Sequence, residues 1–300
     1  MKYKTHLPVG TFFQENVADN GGASMMEWKD GAKCAVCLTF DFDADTSWRN
    51  ILRRNKIERD NPVVLSIGDY APRAALPRIL RLLQRHNLKA GFFVPGEVAD
   101  RFPDSVHDIH KSGHELGHHG YHHKNPALLT PSEEKVELER GSEALMKISG
   151  YKPVGYRAPA ADLSPKTYSL LIEHGLMYDS TMMNDDIPYI VETNGKNIVE
   201  LPIKWMLDDW VYFGFNMFPA LSYQSGISSQ EKVFEIWSAE FEAIYEEGLY
   251  FMLTMHPQIM GVPSRSKMLD RLLHLMKSKG DVWFATPREI AEFWLQHGGE

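Results

Sequence analysis

Short apolar runs alternate with longer amphipathic segments through most of this chain. The clearest run is 34–41, whose near-continuous apolar character predicts a strand covered on both faces. Further strands are predicted at 91–94, 154–157, 250–255 and 282–284. Helical periodicity and capping signals predict helices at 73–86, 130–148, 165–174, 230–246, 266–279 and from 287 onward, with a looser stretch at 180–228.

Strands and helices that alternate in this way predict a mainly parallel sheet with helices outside it. A length of 300 residues suits one barrel-like domain. We expect an irregular N-terminal extension at 1–31 that packs on a single domain at 32–300. In such folds the functional side chains gather at the carboxyl ends of the strands. Polar residues at those positions are therefore the candidates for chemistry.

Composition narrows the class of protein. The chain is 43% hydrophobic and 24% charged, as in ordinary globular enzymes, and its formal net charge is −8. The negative charge argues against nucleic-acid or membrane-surface partners. The first ten residues contain no apolar segment of the length a secretory signal needs, and no stretch approaches the roughly 20 residues that span a bilayer. We expect a cytoplasmic protein.

The two cysteines, Cys34 and Cys37, form a C-x-x-C pattern inside the first predicted strand. Such a pattern can indicate a redox pair or half of a zinc site. Side chains three positions apart on a strand point to opposite faces, so the two thiols can neither bridge nor share an ion. We predict two separate core cysteines.

Three acids, Asp41, Asp43 and Asp45, alternate at the end of that strand. Buried carboxylates close together repel one another, and a bound cation would remove this cost. The alternative is a solvated loop of acids. The sequence pattern alone does not decide between them.

Five of the thirteen histidines lie between 114 and 123. Histidines four apart can bind one ion, and three pairs qualify: His114 with His118, His118 with His122, and His119 with His123. Two imidazoles and one carboxylate would leave open positions on a metal, as a catalytic site requires. Spacing alone does not choose the pair.

Two more polar residues lie at the ends of predicted strands. Arg157 is the last residue of the strand at 154–157, and His256 comes directly after the strand at 250–255. Each has an ordinary explanation by itself, a surface ion pair or a structural histidine. Four polar sites at four strand ends point to one shared site.

These segments together resemble the motif series of the polysaccharide deacetylase superfamily, also called the NodB-homology group or carbohydrate esterase family four. The motifs, in order and spacing, are Thr39-Phe-Asp-Phe-Asp43, His119-Gly-Tyr-His-His123, Arg157-Ala-Pro159 and Leu253-Thr-Met-His256. The chain is most similar to the intracellular branch that includes Helicobacter-type peptidoglycan deacetylase, cyclic imide hydrolases and metal-independent allantoinase. That likeness rests on Asn125-Pro126, Leu201-Pro-Ile-Lys-Trp-Met-Leu-Asp-Asp209 and Met255-His-Pro257.

The resemblance implies a distorted (β/α) barrel of about seven parallel strands with outer helices, and a catalytic role for the domain. It implies that Asp43, His119 and His123 bind one divalent metal ion, with zinc expected and cobalt, nickel and manganese as alternatives. It further implies that Asp41 is the general base and that Arg157 orients it.

Two further roles and one departure follow from the resemblance. It implies that His256 is the general acid and that the backbone N–H of Ala160 donates to the oxyanion. Many sugar deacetylases of the superfamily have an aromatic residue where this chain has Ala160-Ala161. We expect Asp208 and Asp209 to contact the substrate, together with Trp205, for which a core position is the alternative. The likeness to the intracellular branch adds Tyr70 at the pocket entrance.

Three functions remain open at this point. The first is a metal-dependent hydrolase that removes the acetyl group from an N-acetylated sugar or a related small amide. The second keeps the site and changes the substrate to a cyclic imide or an allantoin-type ring. The third is a non-enzymatic binding relic of the fold, against which the complete set of motif residues argues. A homo-oligomer is compatible with the resemblance.

Overall fold

The structure, a computed structural model, describes residues 27–298 apart from 223 and 225. Of the predicted N-terminal extension, 1–26 lie outside the described residues, so the extension and the domain boundary after it stay predictions. The part that is described is anchored by Trp28, which is 1% exposed and donates its indole N–H to the carbonyl of Gly248 at 2.8 Å. Its ring lies among Tyr250, Trp283 and Phe293.

One twisted sheet organises the described residues. Its strands are β1 Cys34–Asp41, β2 Gly91–Val94, β3 Glu115–His118, β4 Gly155–Tyr156, β5 Tyr178–Asp179, β6 Tyr189–Thr193, β7 Lys196–Glu200, β8 Tyr250–Met255 and β9 Val282–Ala285. Their order is β6-β7-β5-β4-β3-β2-β1-β8, with β9 paired to β1 as well. All pairings are parallel except that of β6 with β7.

Helices cover this sheet. They are α1 Thr46–Arg54, α2 Pro62–Tyr70, α3 Leu76–His86, α4 Gly96–Arg101, α5 Pro103–Lys111, α6 Pro131–Ser149, α7 Thr167–Glu173, α8 Trp210–Phe213, α9 Gln230–Glu247, α10 Pro257–Met260, α11 Pro263–Ser278 and α12 Pro287–His297. Short 3₁₀ turns and a π-helical turn at 71–75 join some of them. No helix in the described ranges is long and apolar enough to cross a membrane.

The central strand β1 is buried along its whole length, as the near-continuous apolar run predicts. Alternate side chains enter two different clusters: Cys34 lies in the large core on one face, and Cys37 lies in a second core on the other. Both thiols are free, and burial raises the pKa of Cys34 to about 12. The prediction of two separate core cysteines is confirmed.

The ends of α6 follow its local sequence. The hydroxyl of Thr130 accepts a hydrogen bond from the N–H of Glu133, and the Glu133 carboxylate accepts one from the N–H of Thr130. Gly150 ends the helix in the left-handed conformation, with φ of +79°. The helix contacts the histidine-rich segment, because the carbonyl of Leu138 lies 2.9 Å from Nε2 of His118.

The fold class is confirmed, with differences in detail. The curled sheet has eight mutually parallel strands in the described region rather than about seven. Its end strands, β6 and β8, do not pair with each other there, and Asp208 forms one parallel bridge with Thr254 of β8. The β6–β7 hairpin lies within the stretch predicted to be loose. Its turn is Asn194-Gly195, with φ of +54° and +70°, and this pair is a known hairpin signal.

Candidate active site

The three alternating acids at the end of β1 lie in two different surroundings. Asp41 and Asp43 are buried at the carboxyl end of the sheet, at 5% and 1% exposure. Asp45 turns away and accepts hydrogen bonds from Arg49 and Arg101, so that it ties the start of α1 to α4. The first two acids therefore lie in the candidate site, and the third binds two arginines outside it.

Asp43 lies between two imidazoles. Its Oδ1 atom is 3.6 Å from Nε2 of His119 and 3.5 Å from Nε2 of His123. The same oxygen is buried and has no hydrogen-bond partner in the described part of the chain, while Oδ2 accepts from the hydroxyl of Ser47 at 2.8 Å. One potential ligand atom from each of the three residues lies within 4.8 Å of the others.

The other histidines of the segment point elsewhere. His118 is fully buried, with Nε2 2.9 Å from the carbonyl of Leu138 and Nδ1 accepting from the N–H of Gly120. His114 accepts from the N–H of Ala90 inside the core. Of the three candidate pairs, His119 and His123 are the one whose rings both face Asp43, a direction that spacing cannot give; their role as metal ligands stays a prediction.

The imidazoles of His119 and His123 are suited to bind a cation. Nδ1 of His119 lies 2.7 Å from the carbonyl of Arg157 and donates to it, which leaves the lone pair of Nε2 facing Asp43. Burial lowers the pKa of His119 and lowers that of His123 to about 4, so both rings are neutral at pH 7. One carboxylate with an unpartnered oxygen and two neutral imidazoles fit a divalent metal ion.

Asp41 is held by Arg157. Nη1 of the guanidinium donates to Asp41 Oδ1 at 2.9 Å and to the hydroxyl of Thr39. Nε and Nη2 donate to the backbone and side chain of Ser180, which fixes the orientation of the guanidinium plane. Burial alone would raise the pKa of Asp41, but the charge and hydrogen bond of Arg157 act against it, and the pKa is lowered. The carboxylate is thus ionised at neutral pH.

His256 follows β8 and faces the same point. Its Nδ1 lies 2.7 Å from Asp209 Oδ1, and its backbone N–H donates to Asp209 Oδ2 at 2.8 Å. Its Nε2 is 4.0 Å from Oδ2 of both Asp41 and Asp43. Burial would lower the pKa of His256, but the Asp209 charge and hydrogen bond raise it to about 10. The ring is therefore protonated at neutral pH.

Asp209, one of the residues predicted to contact the substrate, lies behind another residue of the site. It is 0% exposed, and both its oxygens bind His256, so it lies behind the imidazole rather than on the surface of the site. Asp208 is 6% exposed and accepts from the N–H of Trp210 at 2.7 Å. Burial raises the pKa of Asp208 to about 7.

Among the described residues, Tyr70 and Trp205 form no hydrogen bond or ion pair with the acids and imidazoles of the site. The Tyr70 hydroxyl accepts from Arg78 at 2.9 Å and is 3.3 Å from the carbonyl of Gly261. Trp205 is 51% exposed on a 3₁₀ turn. Their roles as substrate contacts stay predictions. The ring of Trp210 lies 5.1 Å from that of His256.

The backbone near the site is strained at non-glycine positions. Ala160 and Ala161 have φ of +63° and +49°, Ala44 has +48°, and His123 has +54°. Each left-handed residue with a β-carbon costs on the order of 1–3 kcal/mol, and such residues persist where the surroundings hold them. For Ala160 the anchor is nearby, since the N–H of Ala158 donates to the hydroxyl of Thr181 at 3.0 Å.

Several supporting residues were not foreseen from the sequence. Ser180 and Thr181 hold the Arg157–Ala160 segment from within the stretch predicted to be loose, and no local pattern marks them. Ser47 holds Asp43 from one turn away, and Glu137 binds the backbone of the histidine-rich loop. The Asp-Asp-Trp sequence at 208–210 was the available signal for the partner of His256.

Comparisons with known proteins identify the family. The sequence profile of the family described as polysaccharide deacetylase matches residues 55–178. The peptidoglycan deacetylase of Helicobacter pylori is 30% identical over 288 residues, which cover 87% of this chain and 96% of that protein.

Solved structures give the same result. A Mycobacterium smegmatis structure named as a "putative polysaccharide deacetylase" is 36% identical, with a TM-score of 0.84 and coverage of 92% of this chain and 95% of that one. Puue allantoinase, at 22% identity and a TM-score of 0.82 over 99% and 100% of the two chains, shares the fold. The chain therefore belongs to the polysaccharide deacetylase family and is a hydrolase that acts on carbon–nitrogen amide bonds.

Proposed function

We propose that this protein is a metal-dependent N-deacetylase, which removes the acetyl group from an N-acetylated sugar or a related small amide. The observation that carries the proposal is Asp43 Oδ1, a buried carboxylate oxygen with no hydrogen-bond partner in the described chain, set between the free Nε2 atoms of His119 and His123. A buried charged oxygen without a partner is costly, and a cation at this point would remove that cost.

The substrate class rests on the relatives. The Helicobacter pylori protein is named a peptidoglycan deacetylase and matches nearly along its whole length. A Bacillus cereus relative, 33% identical over 115 residues, is named a peptidoglycan-N-acetylglucosamine deacetylase. An N-acetylated amino sugar is therefore the first substrate to test.

Asp43, His119 and His123 would hold one divalent ion, for which zinc is the first choice. When bound, the ion supplies Lewis-acid polarisation of the amide carbonyl and lowers the pKa of water. Asp41 accepts the proton of the attacking water, since Arg157 keeps its carboxylate ionised.

Ala160 acts on the carbonyl oxygen of the amide, and His256 acts on its nitrogen. The backbone N–H of Ala160 donates to the carbonyl oxygen as negative charge develops there. His256 donates a proton from Nε2 to the departing nitrogen, because its Nδ1 is occupied by Asp209. An amine leaves poorly without that proton.

The test is metal content and hydrolysis measured together on purified protein. Wild type should bind one divalent ion per chain, lose activity on N-acetylglucosamine oligomers to a chelator, and regain it with added metal. Asp43→Asn should lose both metal and activity, whereas Asp104→Asn, which changes an exposed carboxylate on α5, should keep both. A metal-free wild type that still hydrolyses amides would overturn the assignment of the ligands.

The Ala160-Ala161 pair favours a second function, the hydrolysis of a ring amide. Ala160-Ala161 offers no aromatic wall for a sugar ring, and Ala160 is exposed. The same site could then accept a cyclic imide or an allantoin-type ring. Turnover of such rings in preference to acetylated sugars, measured side by side, would replace the first substrate class with the second.

Other expectations stay predictions. They concern a small-molecule or saccharide partner rather than nucleic acid, a cytoplasmic location, a homo-oligomer and the division of the chain into 1–31 and 32–300. Size-exclusion chromatography with light scattering would determine the number of subunits.

A further inference from the structure

Glu137, on α6, lies beneath the loop that carries the two proposed histidine ligands. Its Oε2 accepts the backbone N–H of Tyr121 at 3.0 Å and that of His122 at 2.6 Å. Its Oε1 faces Nδ1 of the His122 ring at 2.7 Å. The side chain is 8% exposed. One carboxylate thus binds three donors of two adjacent loop residues.

The same loop is held from the opposite side by Asn50 on α1. Its side-chain amide donates to the carbonyl of His122 at 3.1 Å and to that of His123 at 2.7 Å. Glu137 binds the loop N–H groups and Asn50 binds its carbonyl groups, so the two helices α1 and α6 fix the peptide planes between them.

The contacts with Glu137 and Asn50 stabilise an unfavourable backbone conformation at His123. The residue has φ of +54°, and a left-handed residue with a β-carbon costs roughly 1–2 kcal/mol. Without its anchors the loop would relax toward ordinary backbone conformations, and the direction of the His123 ring would change. Nε2 of His123 would then leave its position 3.5 Å from Asp43 Oδ1.

The anchoring also separates two adjacent imidazoles. His122 and His123 are neighbours in sequence, yet only His123 faces Asp43, because the His122 ring is bound by Glu137. Close packing fixes the distance of α6 from the loop, since a β-carbon at Gly141 would lie 2.7 Å from the carbonyl oxygen of Gly120. The carboxylate therefore selects between the two rings.

We propose that Glu137 is a positioning residue for the metal site: it presents His123 to the ion and holds His122 away from it. The inference rests on the proposed function, since it assumes a metal at Asp43, His119 and His123. Residues that orient metal ligands typically change metal affinity 10–100-fold when they are replaced.

The experiment measures the dissociation constants of Zn²⁺ and Co²⁺ by competition with a chromophoric chelator. Glu137→Ala should bind both ions at least about 10-fold more weakly, with an altered Co²⁺ absorption spectrum. Glu137→Gln should stay within about 3-fold of wild type, because its amide oxygen accepts both N–H groups and its NH₂ group donates to Nδ1 of His122 once the ring carries its proton on Nε2. Glu139→Ala is the matched control, since Glu139 lies on the same helix with its side chain 49% exposed.

Two further variants test the same role of Glu137. If Glu137→Ala does not fold, Glu137→Asp shortens the side chain and should weaken binding in the same direction, as should Asn50→Ala on the other side of the loop. Wild-type affinity and spectrum in Glu137→Ala, or in both of these substitutes, would overturn the role of Glu137. A wild-type protein that binds no ion would instead overturn the proposed function.

Discussion

His256 and Asp209 are joined twice, once through the imidazole Nδ1 at 2.7 Å and once through the backbone N–H at 2.8 Å. The second bond fixes the position of the main chain at the end of β8, and the first fixes the ring about its side-chain torsions. Because Asp209 is fully buried, its charge acts on His256 with little screening by solvent. The pair is therefore built to keep a protonated imidazole in one orientation.

Asp209→Asn should lower kcat/KM for the amide substrate by roughly 10²-fold, the lower range of general acid contributions. The pKa of His256 is raised to about 10 mainly by the Asp209 charge, so the neutral amide should let it fall. In the proposed role of general acid the protonated form of His256 is the active one, and the alkaline limb of the pH–rate profile should therefore move to lower pH.

The measurement is kcat/KM between pH 6 and 10 for this variant, wild type and the exposed control Asp104→Asn. An unchanged alkaline limb in Asp209→Asn would show that another group donates the proton. Metal content should be equal in all three proteins, since none of the changes touches Asp43, His119 or His123.

Asp41→Asn should abolish turnover and leave the metal in place. The carboxylate is bound by Arg157 but lies outside the set that converges on Asp43 Oδ1, so its loss should remove a proton acceptor rather than a ligand. The expected result is a loss of at least about 10²-fold in kcat with one ion per chain. Activity near that of wild type would contradict the assignment of Asp41 as base.

Much of this site could be predicted from sequence because its residues directly follow strands. The apolar run of β1 is long enough to identify, and parallel strands bring their carboxyl ends to one edge. Asp41, Asp43, Arg157 and His256 therefore meet as expected. In the sequence, only the family resemblance singles out His119 and His123, because three histidine pairs have the same spacing. The pairs differ in the direction of their side chains, which spacing does not give.

The parts that could not be predicted depend on contacts between distant segments. Ser180 binds Arg157 across 23 positions, and Glu137 binds His122 across 15. Serine and glutamate are common residues, and neither stands in a local pattern that marks a role. The β6–β7 hairpin is different: Asn194-Gly195 was a usable signal, but its strands are half exposed and lack a clear apolar run.

His256→Ala should slow the hydrolysis of amides with poor leaving groups more than that of amides with good ones. Nε2 faces the site, and its proton is needed most where the departing nitrogen is most basic. Comparing N-acetylglucosamine with a series of ring-substituted acetanilides would give the dependence of kcat/KM on the pKa of the leaving amine. That dependence should be steeper in the variant, and equal losses across the series would argue against the acid role.

The stability of the protein should decrease in mild acid because of buried neutral histidines. Burial lowers the pKa of His114 and of His118 to about 4 from the ordinary 6.5. The folded state therefore binds these protons less tightly than the unfolded chain. The stability contribution is complete above pH 6.5 and is lost as the pH falls from 6.5 toward 4, with a slope of up to about 1.4 kcal/mol per pH unit for each ring.

His114→Asn should reduce this slope, because the asparagine oxygen can still accept from the N–H of Ala90 while the group no longer titrates. The free energy of unfolding, measured with urea between pH 4.5 and 7.5, should depend less on pH in this variant than in wild type. His107→Asn, at an exposed position of α5, should keep the wild-type slope. If both variants kept it, the acid sensitivity would belong to other groups, and the neutral state of His114 would not be what ties stability to pH.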